Sequence, residues 1–386
     1  MPVEIVKKVD CTGCAACANI CPKKCISMRR DASGFLYPVI NTDNCIRCEL
    51  CTKVCPIVEP LKETERINKT EVYAGWTNDT EVRYNSTSGG VFSELAKIVI
   101  SQKGMVSGAV YNQDCEVEHA LVSDEEGLCR VRQSKYVQSE IKAHYQEIKE
   151  LLAQKKQVLF CGTPCQVAGL KKYLGKQYDN LVTVDFICRG VNSPKAYRCW
   201  LDELEGKYNS KAVKVWFKYK INGWKKSPQC TRIDFANGES CVQNSVKNTY
   251  MRGYLGPNLY IRPSCGDCRF KGGYQVSDIT LADFWGISKH LDDDKGTSLI
   301  LIHTEKGKRL FGQCRQKIFC EHREMNEITR GNVCFEQSVT INPRSEEFLQ
   351  ELDHEPFSVL IEKYARVSLY ARIKGKIKGS LRRGLR

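Results

Sequence analysis

Two cysteine runs near the start of the chain decide its fold: CTGCAACANICP, residues 11–22, and CIRCELCTKVCP, residues 45–56. Each run has the pattern C-x2-C-x2-C-x3-C-P. Three closely spaced thiolates of such a run can hold three corners of one iron–sulfur cubane, and the fourth cysteine then ligates the other cluster. The spacing predicts one cluster on Cys11, Cys14, Cys17 and Cys55, and a second on Cys45, Cys48, Cys51 and Cys21.

This spacing is that of the bacterial ferredoxin run, so residues 1–60 are predicted to form a ferredoxin domain with two 4Fe-4S clusters. A pair of zinc knuckles is the alternative, but zinc usually closes a site with four ligands at simpler spacing. The segment between the runs predicts a hairpin with its turn at Asp31–Gly34. Cys25 fits neither set and is predicted to be an unliganded thiol near the first cluster.

The cysteine content of the whole chain indicates its compartment. The 386 residues include 22 cysteines, and the N-terminal residues MPVEIVKKVD do not form an apolar signal segment. No stretch approaches the roughly 18 apolar residues of a membrane span. We therefore expect a cytoplasmic protein whose thiolates are kept reduced for metal clusters.

The segment after residue 70 predicts a helix with a polar start. Ser86, Thr87 and Ser88 precede Gly89 and Gly90, and apolar residues then recur at helical spacing from Val91 to Val99. A helix start of this kind favours an anion such as a flavin phosphate. An ordinary capped helix is the alternative.

A strand–helix–strand unit follows, with strands at 158–160 and within NLVTVDFICRG (180–190) and a helix at 166–174. This unit places Cys161 and Cys188 at the carboxyl ends of two parallel strands, where sites in open α/β sheets collect. The late pair Cys265 and Cys268 has metal-ligand spacing and can meet them there. A third cubane on Cys161, Cys188, Cys265 and Cys268 is predicted, with Cys165 as the alternative to Cys161; a structural zinc site and free thiols are the other interpretations.

Six segments together resemble the family of coenzyme F420 hydrogenase/dehydrogenase β subunits: STSGGVF, SKYVQSE, LFCGTPCQVAGL, VDFICRGVNSP, CGDCRFK and SDITLADFWGI. The resemblance runs from about residue 73 to about residue 287, and a ferredoxin domain ahead of it is a common arrangement in that family. It implies a bound FAD and a 4Fe-4S cluster in the larger domain. By resemblance and position, the flavin site is predicted at Ser88, Gly89, Gly90, Lys135, Tyr136, Thr163 and Gln166.

The chain departs from the family pattern at three positions, with Arg189 in place of an expected His, Asn192 in place of Pro and Ala282 in place of Gly. These departures weaken the expectation that a deazaflavin is the redox partner. No dinucleotide-binding or P-loop motif is found. The predicted fold class is α+β, with a ferredoxin domain (1–60), a mixed α/β domain for FAD and cluster (70–345) and a basic amphipathic tail (346–386).

The functional prediction is an iron–sulfur flavoprotein oxidoreductase that passes electrons between 4Fe-4S clusters and FAD. Its substrate would be a soluble hydride carrier, a deazaflavin or similar, or an organic compound, and related proteins occur in surface-polysaccharide gene sets. The alternative is an electron-transfer subunit of a larger redox complex with no substrate of its own. A third interpretation is a non-enzymatic zinc scaffold.

The partner predictions follow from the same reasoning. A redox partner protein, ferredoxin-like or a catalytic subunit, is expected, and nucleic acid is not. The basic C-terminus, with Val367, Leu369, Tyr370, Ile373 and Ile377 on one helical face, suggests weak contact with an anionic membrane at the inner face. A solvated or docked tail is the alternative, and a homo-oligomer is left open.

Overall fold

The N-terminal fold follows the ferredoxin prediction. A computed structural model describes residues 4–61, 70–225, 230–244, 247–272 and 276–366. The N-terminal domain contains a pair of short helices and one antiparallel hairpin, namely α1 (Ala16–Ile20), β1 (Ile26–Arg30), β2 (Leu36–Ile40) and α2 (Leu50–Lys53). The predicted turn exists because the Asp31 carboxylate accepts hydrogen bonds from the backbone N–H groups of Ser33 and Phe35, at 3.0 and 3.1 Å.

The larger domain contains the remaining strands and helices. Its strands are β3 (Glu71–Thr77), β4 (Met105–Tyr111), β5 (Val117–Val122), β6 (Val158–Cys161), β7 (Leu181–Phe186), β8 (Ala212–Phe217), β9 (Thr231–Phe235), β10 (Ser240–Gln243), β11 (Ile279–Asp283), β12 (Ser298–Ile302) and β13 (Ile318–His322). Its helices are α3 (Thr80–Tyr84), α4 (Val91–Ser101), α5 (Glu125–Val131), α6 (His144–Ala153), α7 (Pro164–Leu174), α8 (Pro194–Tyr208), α9 (Thr249–Leu255), α10 (Glu305–Cys314), α11 (Ser345–Glu351) and α12 (Phe357–Tyr364).

Eight of these strands form a mixed sheet in the order β13-β3-β12-β11-β7-β6-β4-β5. The four inner strands β11, β7, β6 and β4 are parallel to one another, and the outer pairs are antiparallel. β6 and β12 are almost entirely apolar and buried, as strands covered on both faces require. The sheet therefore has a parallel centre whose carboxyl edge can carry a site.

The predicted strand–helix–strand unit is confirmed, since β6 and β7 are parallel neighbours joined through α7. Proline at the first helical position and a reciprocal capping box between Thr163 and Gln166 begin α7. Gly175, at φ +69°, ends it in the left-handed conformation. These local signals fix where the helix leaves the sheet edge.

The stretch at residues 276–281 predicts a strand, but β11 begins only at Ile279. The reason is the side chain of Asp278, which accepts hydrogen bonds from the backbone N–H and the hydroxyl of Thr183, both at 2.7 Å. These hydrogen bonds between Asp278 and Thr183 of β7 take the place of regular strand pairing before Ile279. The shift places Asp283 in the strand and Trp285 in the loop that follows.

A second layer contains the three-stranded antiparallel sheet β10-β9-β8 and an aromatic core. Helices α11 and α12 pack into that core with Phe348, Phe357, Leu360 and Ile361 buried. The predicted boundary of a tail at residue 346 is therefore wrong, because residues 345–364 belong to the larger domain. The apolar positions predicted for the tail helix, 367–377, lie outside the described residues.

The ferredoxin domain docks closely on the larger domain. Asn19 donates to the carbonyl of Lys142 at 2.8 Å, and the backbone N–H of Leu36 donates to the side chain of Gln138 at 3.0 Å. A Cβ on Gly169 of α7 would lie 3.1 Å from the sulfur of Cys14, so the helix approaches the first cysteine run directly. Across the described ranges, we find no helix with both the length and the apolar character needed to span a bilayer.

Candidate functional site: three cysteine groups and a large cavity

The first cysteine group lies at the seam between the two domains. Burial raises the pKa of the Cys14 thiol to about 12, and the nearby thiolates of Cys55 and Cys11 raise it further. Burial likewise raises the pKa of Cys17, and thiolates of Cys14, Cys11 and Cys55 contribute. The structure therefore brings together the four cysteines predicted for the first cluster.

The second group lies at the outer side of the ferredoxin domain. Cys48 is exposed, Cys51 lies near Cys45, and the sulfur atoms of Cys21 and Cys25 are 3.3 Å apart. Hydrogen bonding with Cys21 raises the pKa of Cys25 to about 11, and Cys45 is also close to it. The expectation that Cys25 lies near the first cluster is therefore wrong; it lies among the cysteines predicted for the second, because the turn after Cys21 folds back.

The third group is assembled by the larger domain at the carboxyl edge of its sheet. Burial raises the pKa of Cys165 well above its ordinary value, and the thiolates of Cys188, Cys268 and Cys265 raise it further. Cys161 instead faces Asp185 and Lys135. The structure thus groups Cys165, rather than Cys161, with the other three cysteines. Cys161 is the last residue of β6, whereas Cys165 lies on the first turn of α7.

These four thiols line a small cavity of about 40 Å³, together with Asp10, Thr12 and Ile57 of the ferredoxin domain. Among the residues that the structure describes, no three His, Cys, Asp or Glu side chains converge on a point that could hold a single metal ion. The thiols surround a space instead. A cubane bound by four thiolates needs such a space between its ligands.

A larger cavity of about 600 Å³ adjoins the third group and shares Cys165, Cys188 and Arg189 with the small cavity. Six of the seven predicted flavin-site residues line it: Ser88, Gly90, Lys135, Tyr136, Thr163 and Gln166. Gly89 does not, because it packs against the sheet; a Cβ there would lie 2.5 Å from the carbonyl oxygen of Gly75. The volume is typical of small-molecule and cofactor sites.

The cavity offers groups that suit an anionic, aromatic cofactor. Gly90, at φ +84°, begins the eleven-residue helix α4 at the cavity wall. The N–H of Ser93 donates back to the Gly90 carbonyl at 3.0 Å, whereas the N–H groups of Val91 and Phe92 precede the first intrahelical hydrogen bonds. His119 also lines the cavity, is 7% exposed, and has no hydrogen-bond partner for Nδ1. An orphaned buried polar atom in a cavity wall is expected where a ligand supplies the partner. The residues present therefore fit an anionic ligand, and FAD is the group that the sequence resemblance implies for this domain.

Two predicted flavin-site residues also have structural roles. The ammonium group of Lys135 donates to the carbonyls of Arg130, Val131 and Arg132, at 2.9, 3.1 and 3.0 Å, and so closes the end of α5. Gln166 caps α7 and donates to the hydroxyl of Ser139 at 2.9 Å. Both side chains are held rigidly at the cavity wall.

Asp185 is a cavity residue that the sequence analysis did not select. It lies on β7, is 3% exposed, and burial raises its pKa to about 7. The hydroxyl of Thr280 donates to its carboxylate at 2.5 Å. A carboxyl group that titrates near neutral pH can hold or release a proton beside the cavity. The available signal in the sequence was an Asp within a strand whose other residues, apart from Thr183, are apolar.

A polar and aromatic group lies at another region of the cavity wall. Lys218 and Asp283 form an ion pair at 2.5 Å, and the indole N–H of Trp224 donates to Asp283 at 3.0 Å. Trp224 and Trp285 stack with ring centroids 4.5 Å apart and planes 3° apart. No local sequence pattern joins these residues, because Lys218 and Trp224 are distant in the chain from Asp283 and Trp285.

Comparison with known proteins agrees with this arrangement. Residues 10–57 match the family model for a 4Fe-4S dicluster domain. Residues 72–144 match the N-terminal model of the coenzyme F420 hydrogenase/dehydrogenase beta subunit, and residues 155–328 match the C-terminal model of the same subunit. The dicluster match supports the prediction of 4Fe-4S clusters in the N-terminal domain.

Curated relatives share regions of this architecture. The chain is 25% identical over 178 residues to a subunit of the F(420)H(2) dehydrogenase of Methanosarcina mazei, covering 42% of this chain and 48% of that protein. It is 30% identical over 175 residues to the coenzyme F420-dependent sulfite reductase of Methanocaldococcus jannaschii, covering 44% of this chain and 26% of that protein. An uncharacterized ferredoxin of the same organism is 34% identical over 77 residues, which are 18% of this chain and 99% of the ferredoxin. The chain thus spans about half of the first relative and about a quarter of the second.

Among solved structures, a chain of the F420-reducing NiFe hydrogenase complex from Methanosarcina barkeri aligns with a TM-score of 0.45 and 14% identity. The alignment covers 77% of this chain and 89% of that chain. Similarity at this level does not support an argument about the site.

Proposed function

This chain belongs to the family of coenzyme F420 hydrogenase/dehydrogenase β subunits and carries a 4Fe-4S dicluster domain at its N-terminus, and from that premise we propose that it is an iron–sulfur electron-transfer subunit of a larger redox complex. In this proposal three 4Fe-4S clusters occupy the three cysteine groups, and FAD occupies the 600 Å³ cavity. One observation carries the proposal: the small cavity of the third group is lined by residues of both domains and shares six lining residues with the large cavity.

The three cysteine groups are arranged as a route through the molecule. Cys48 of the second group is exposed, so that end can exchange electrons with a partner protein. The first group lies at the domain seam; the phenol of Tyr145 lies near Cys14 of this group and near Cys165 of the third. The third group adjoins the large cavity. Electrons would therefore cross the ferredoxin domain and reach the cavity without leaving the chain.

The residues of the cavity would position and protonate the bound cofactor. When bound, FAD would accept single electrons from the clusters and pass them on two at a time, which an iron–sulfur cluster cannot do. The start of α4 would offer backbone N–H groups to the phosphates of that cofactor. Asp185, whose pKa burial raises to about 7, can hold a proton at its carboxylate, and Thr280 keeps that carboxylate oriented.

A second candidate function is favoured by the stacked indoles of Trp224 and Trp285 beside the Lys218–Asp283 ion pair. A planar face flanked by a cation suits a soluble heteroaromatic hydride carrier. The chain would then be an oxidoreductase with its own substrate, a deazaflavin or another small molecule. A role in surface-polysaccharide synthesis stays a prediction of the sequence resemblance. The cytoplasmic location stays a prediction from the cysteine content, and a homo-oligomer stays open.

Metal and flavin analysis tests the cofactor content. Protein purified without oxygen should contain about twelve irons per chain, four for each cubane, together with one FAD released by acid. About eight irons with no zinc would remove the third cluster and leave the ferredoxin domain intact. Zinc without flavin would contradict the whole proposal and favour the scaffold interpretation.

Reduction of the isolated chain separates the two candidate functions. An electron-transfer subunit should accept electrons from dithionite, yet it should not turn over a reduced deazaflavin on its own. Steady-state oxidation of reduced deazaflavin by the isolated chain, with an artificial electron acceptor, would instead establish the second candidate. A Trp285→Ala variant is the matched control, since only the second candidate predicts that it raises KM.

A further inference from the structure

One buried arginine lies between the first and third cysteine groups. Arg262 is 0% exposed and directly precedes the short turn Pro263–Cys265. Its Nε donates to the carbonyl of Cys11 at 2.7 Å, and its Nη2 donates to the carbonyl of Leu36 at 3.0 Å. Arg262 therefore connects the larger domain to the first cysteine run of the ferredoxin domain.

The charge of Arg262 has no protein counter-ion among the described residues. Two neutral carbonyls accept from it, its Nη1 has no partner, and its guanidinium lies over the rings of Tyr37 and Phe35 with centroid distances of 4.2 and 5.4 Å. Burying an ion without an opposite charge is strongly unfavourable. We therefore expect an anionic group close to the guanidinium when the protein carries its iron–sulfur clusters.

Both neighbouring cysteine groups can supply that negative charge. A Cβ on Gly13, between Cys11 and Cys14, would lie 3.0 Å from the unpartnered Nη1. In the third group, Cys265 lies three residues after Arg262, and its backbone N–H donates to the carbonyl of Arg262 at 3.0 Å. Tyr37, whose ring centroid lies 4.2 Å from the guanidinium, is buried in one hydrophobic cluster with Cys11, and Cys265 packs against that cluster. Arg262 thus lies beside both groups.

We infer that Arg262 is the buried counter-ion shared by the first and third iron–sulfur clusters and that it raises the reduction potentials of both. The inference rests on the proposed cluster sites. A cubane bound by four thiolates is anionic, and a one-electron reduction adds a further negative charge to it. A desolvated cation nearby stabilises the reduced form more than the oxidised form, and net charge is one of the factors that set cluster potentials.

The test is an EPR-monitored redox titration of the anaerobically purified full-length protein and its Arg262→Gln variant. The glutamine removes the charge and keeps an amide donor. With iron content unchanged, the reduction equilibrium constants of the first and third clusters should fall about tenfold, which is about 59 mV for one electron. The second cluster should be unaffected. Unchanged potentials in a fully loaded variant would overturn the inference.

Two further variants separate charge from architecture. Arg262→Lys keeps the charge and loses the forked donor, so its potentials should remain close to those of the original protein; a shift as large as that of the glutamine variant would contradict a charge effect. Arg30→Gln also removes a cation from the domain seam, but Arg30 is partly exposed and paired with Glu116 at 2.9 Å. It should leave all potentials unchanged.

If the glutamine variant fails to retain iron, the Arg262→His variant allows the charged and the neutral side chain to be compared in one protein by changing the pH. Its first and third potentials should fall more steeply with rising pH than those of the original protein, through the range in which imidazole loses its proton. Equal pH dependence would overturn the inference. If the original protein holds only about eight irons, the proposed third cluster fails, but the first cluster still reports on Arg262.

Discussion

At the scale of single residues, four positions separate the two cysteines that compete for the third group. Cys161 ends β6 and faces Asp185 and Lys135 in the large cavity, whereas Cys165 lies near Cys188, Cys265 and Cys268. Both cysteines are half-buried, so exposure alone does not distinguish them. The direction of each side chain distinguishes them. Cys161 still lies in β6, whereas Cys165 lies in the first turn of α7, where the chain has already left the sheet.

The corresponding prediction concerns iron content. Cys165→Ser should lose one cluster, about four irons, because a serine hydroxyl is a poor replacement for a thiolate ligand. Cys161→Ser should keep all of its iron. Iron analysis and EPR of both variants, purified side by side without oxygen, would measure this. The assignment fails if the Cys161 variant is the one that loses iron, and it also fails if an N-terminal cluster disappears instead.

At the scale of elements, the two C-terminal helices change the domain boundary. Phe357, Leu360 and Ile361 of α12 are buried in the aromatic core, while Val359 on the same helix is 51% exposed. Arg252 of α9 pairs with Glu362 at 2.6 Å and fixes the helix further. These contacts make α12 belong to the folded domain, although its sequence leads directly into the basic C-terminus.

Substitutions on α12 test this boundary. Phe357→Ala should lower the free energy of unfolding by about 3–5 kcal/mol, because it leaves a cavity in the core. Val359→Ala, on the exposed side, should change it by less than about 0.5 kcal/mol. Thermal unfolding followed by circular dichroism under anaerobic conditions compares the two variants. Equal effects would mean that α12 does not pack as described.

The basic residues beyond 366 can be removed separately from the folded helices. Residues 367–386 include seven Lys or Arg and no Asp or Glu. Each basic residue near an anionic bilayer contributes roughly 1 kcal/mol, and salt screens it. A chain ending at residue 366 should keep its iron and flavin and should bind anionic vesicles less tightly, most clearly at low salt. Unchanged vesicle sedimentation would remove the membrane hypothesis.

At the scale of the whole molecule, the cysteine groups differ in their protection from solvent. The second group includes the exposed Cys48, whereas Cys14 and Cys55 of the first group are buried at the domain seam. The third group is covered by residues of both domains. A route with one exposed end and one enclosed end suits electron exchange with a partner at one side and chemistry in the cavity at the other.

Controlled exposure to air tests this order. The second cluster should be lost first, so iron should fall from about twelve to about eight per chain before the other signals decline. The physical reason is access of oxidant to an exposed thiolate ligand. Iron content and EPR spectra at successive times would follow the loss, with an anaerobic sample as reference. Earlier loss of the first or third cluster would contradict the proposed arrangement.

The sequence by itself determined those features that depend on neighbouring residues. The two ferredoxin cysteine runs, the hairpin between them and the unit β6–α7–β7 could all be predicted, because ligand spacing, turn chemistry and hydrophobic periodicity act within a few residues. The position of the late pair, Cys265 and Cys268, also indicated a site, although not its complete set of partners.

Only the tertiary structure decided the features that join distant segments of the chain. It grouped Cys165 rather than Cys161 with the late cysteines, placed Cys25 in the second group, and packed α11 and α12 into the core. It also buried Arg262 against Cys11, 251 positions away. The physical reason is that side-chain direction and long-range packing depend on how the two domains and the sheet edge meet, and no local pattern in the sequence encodes that meeting.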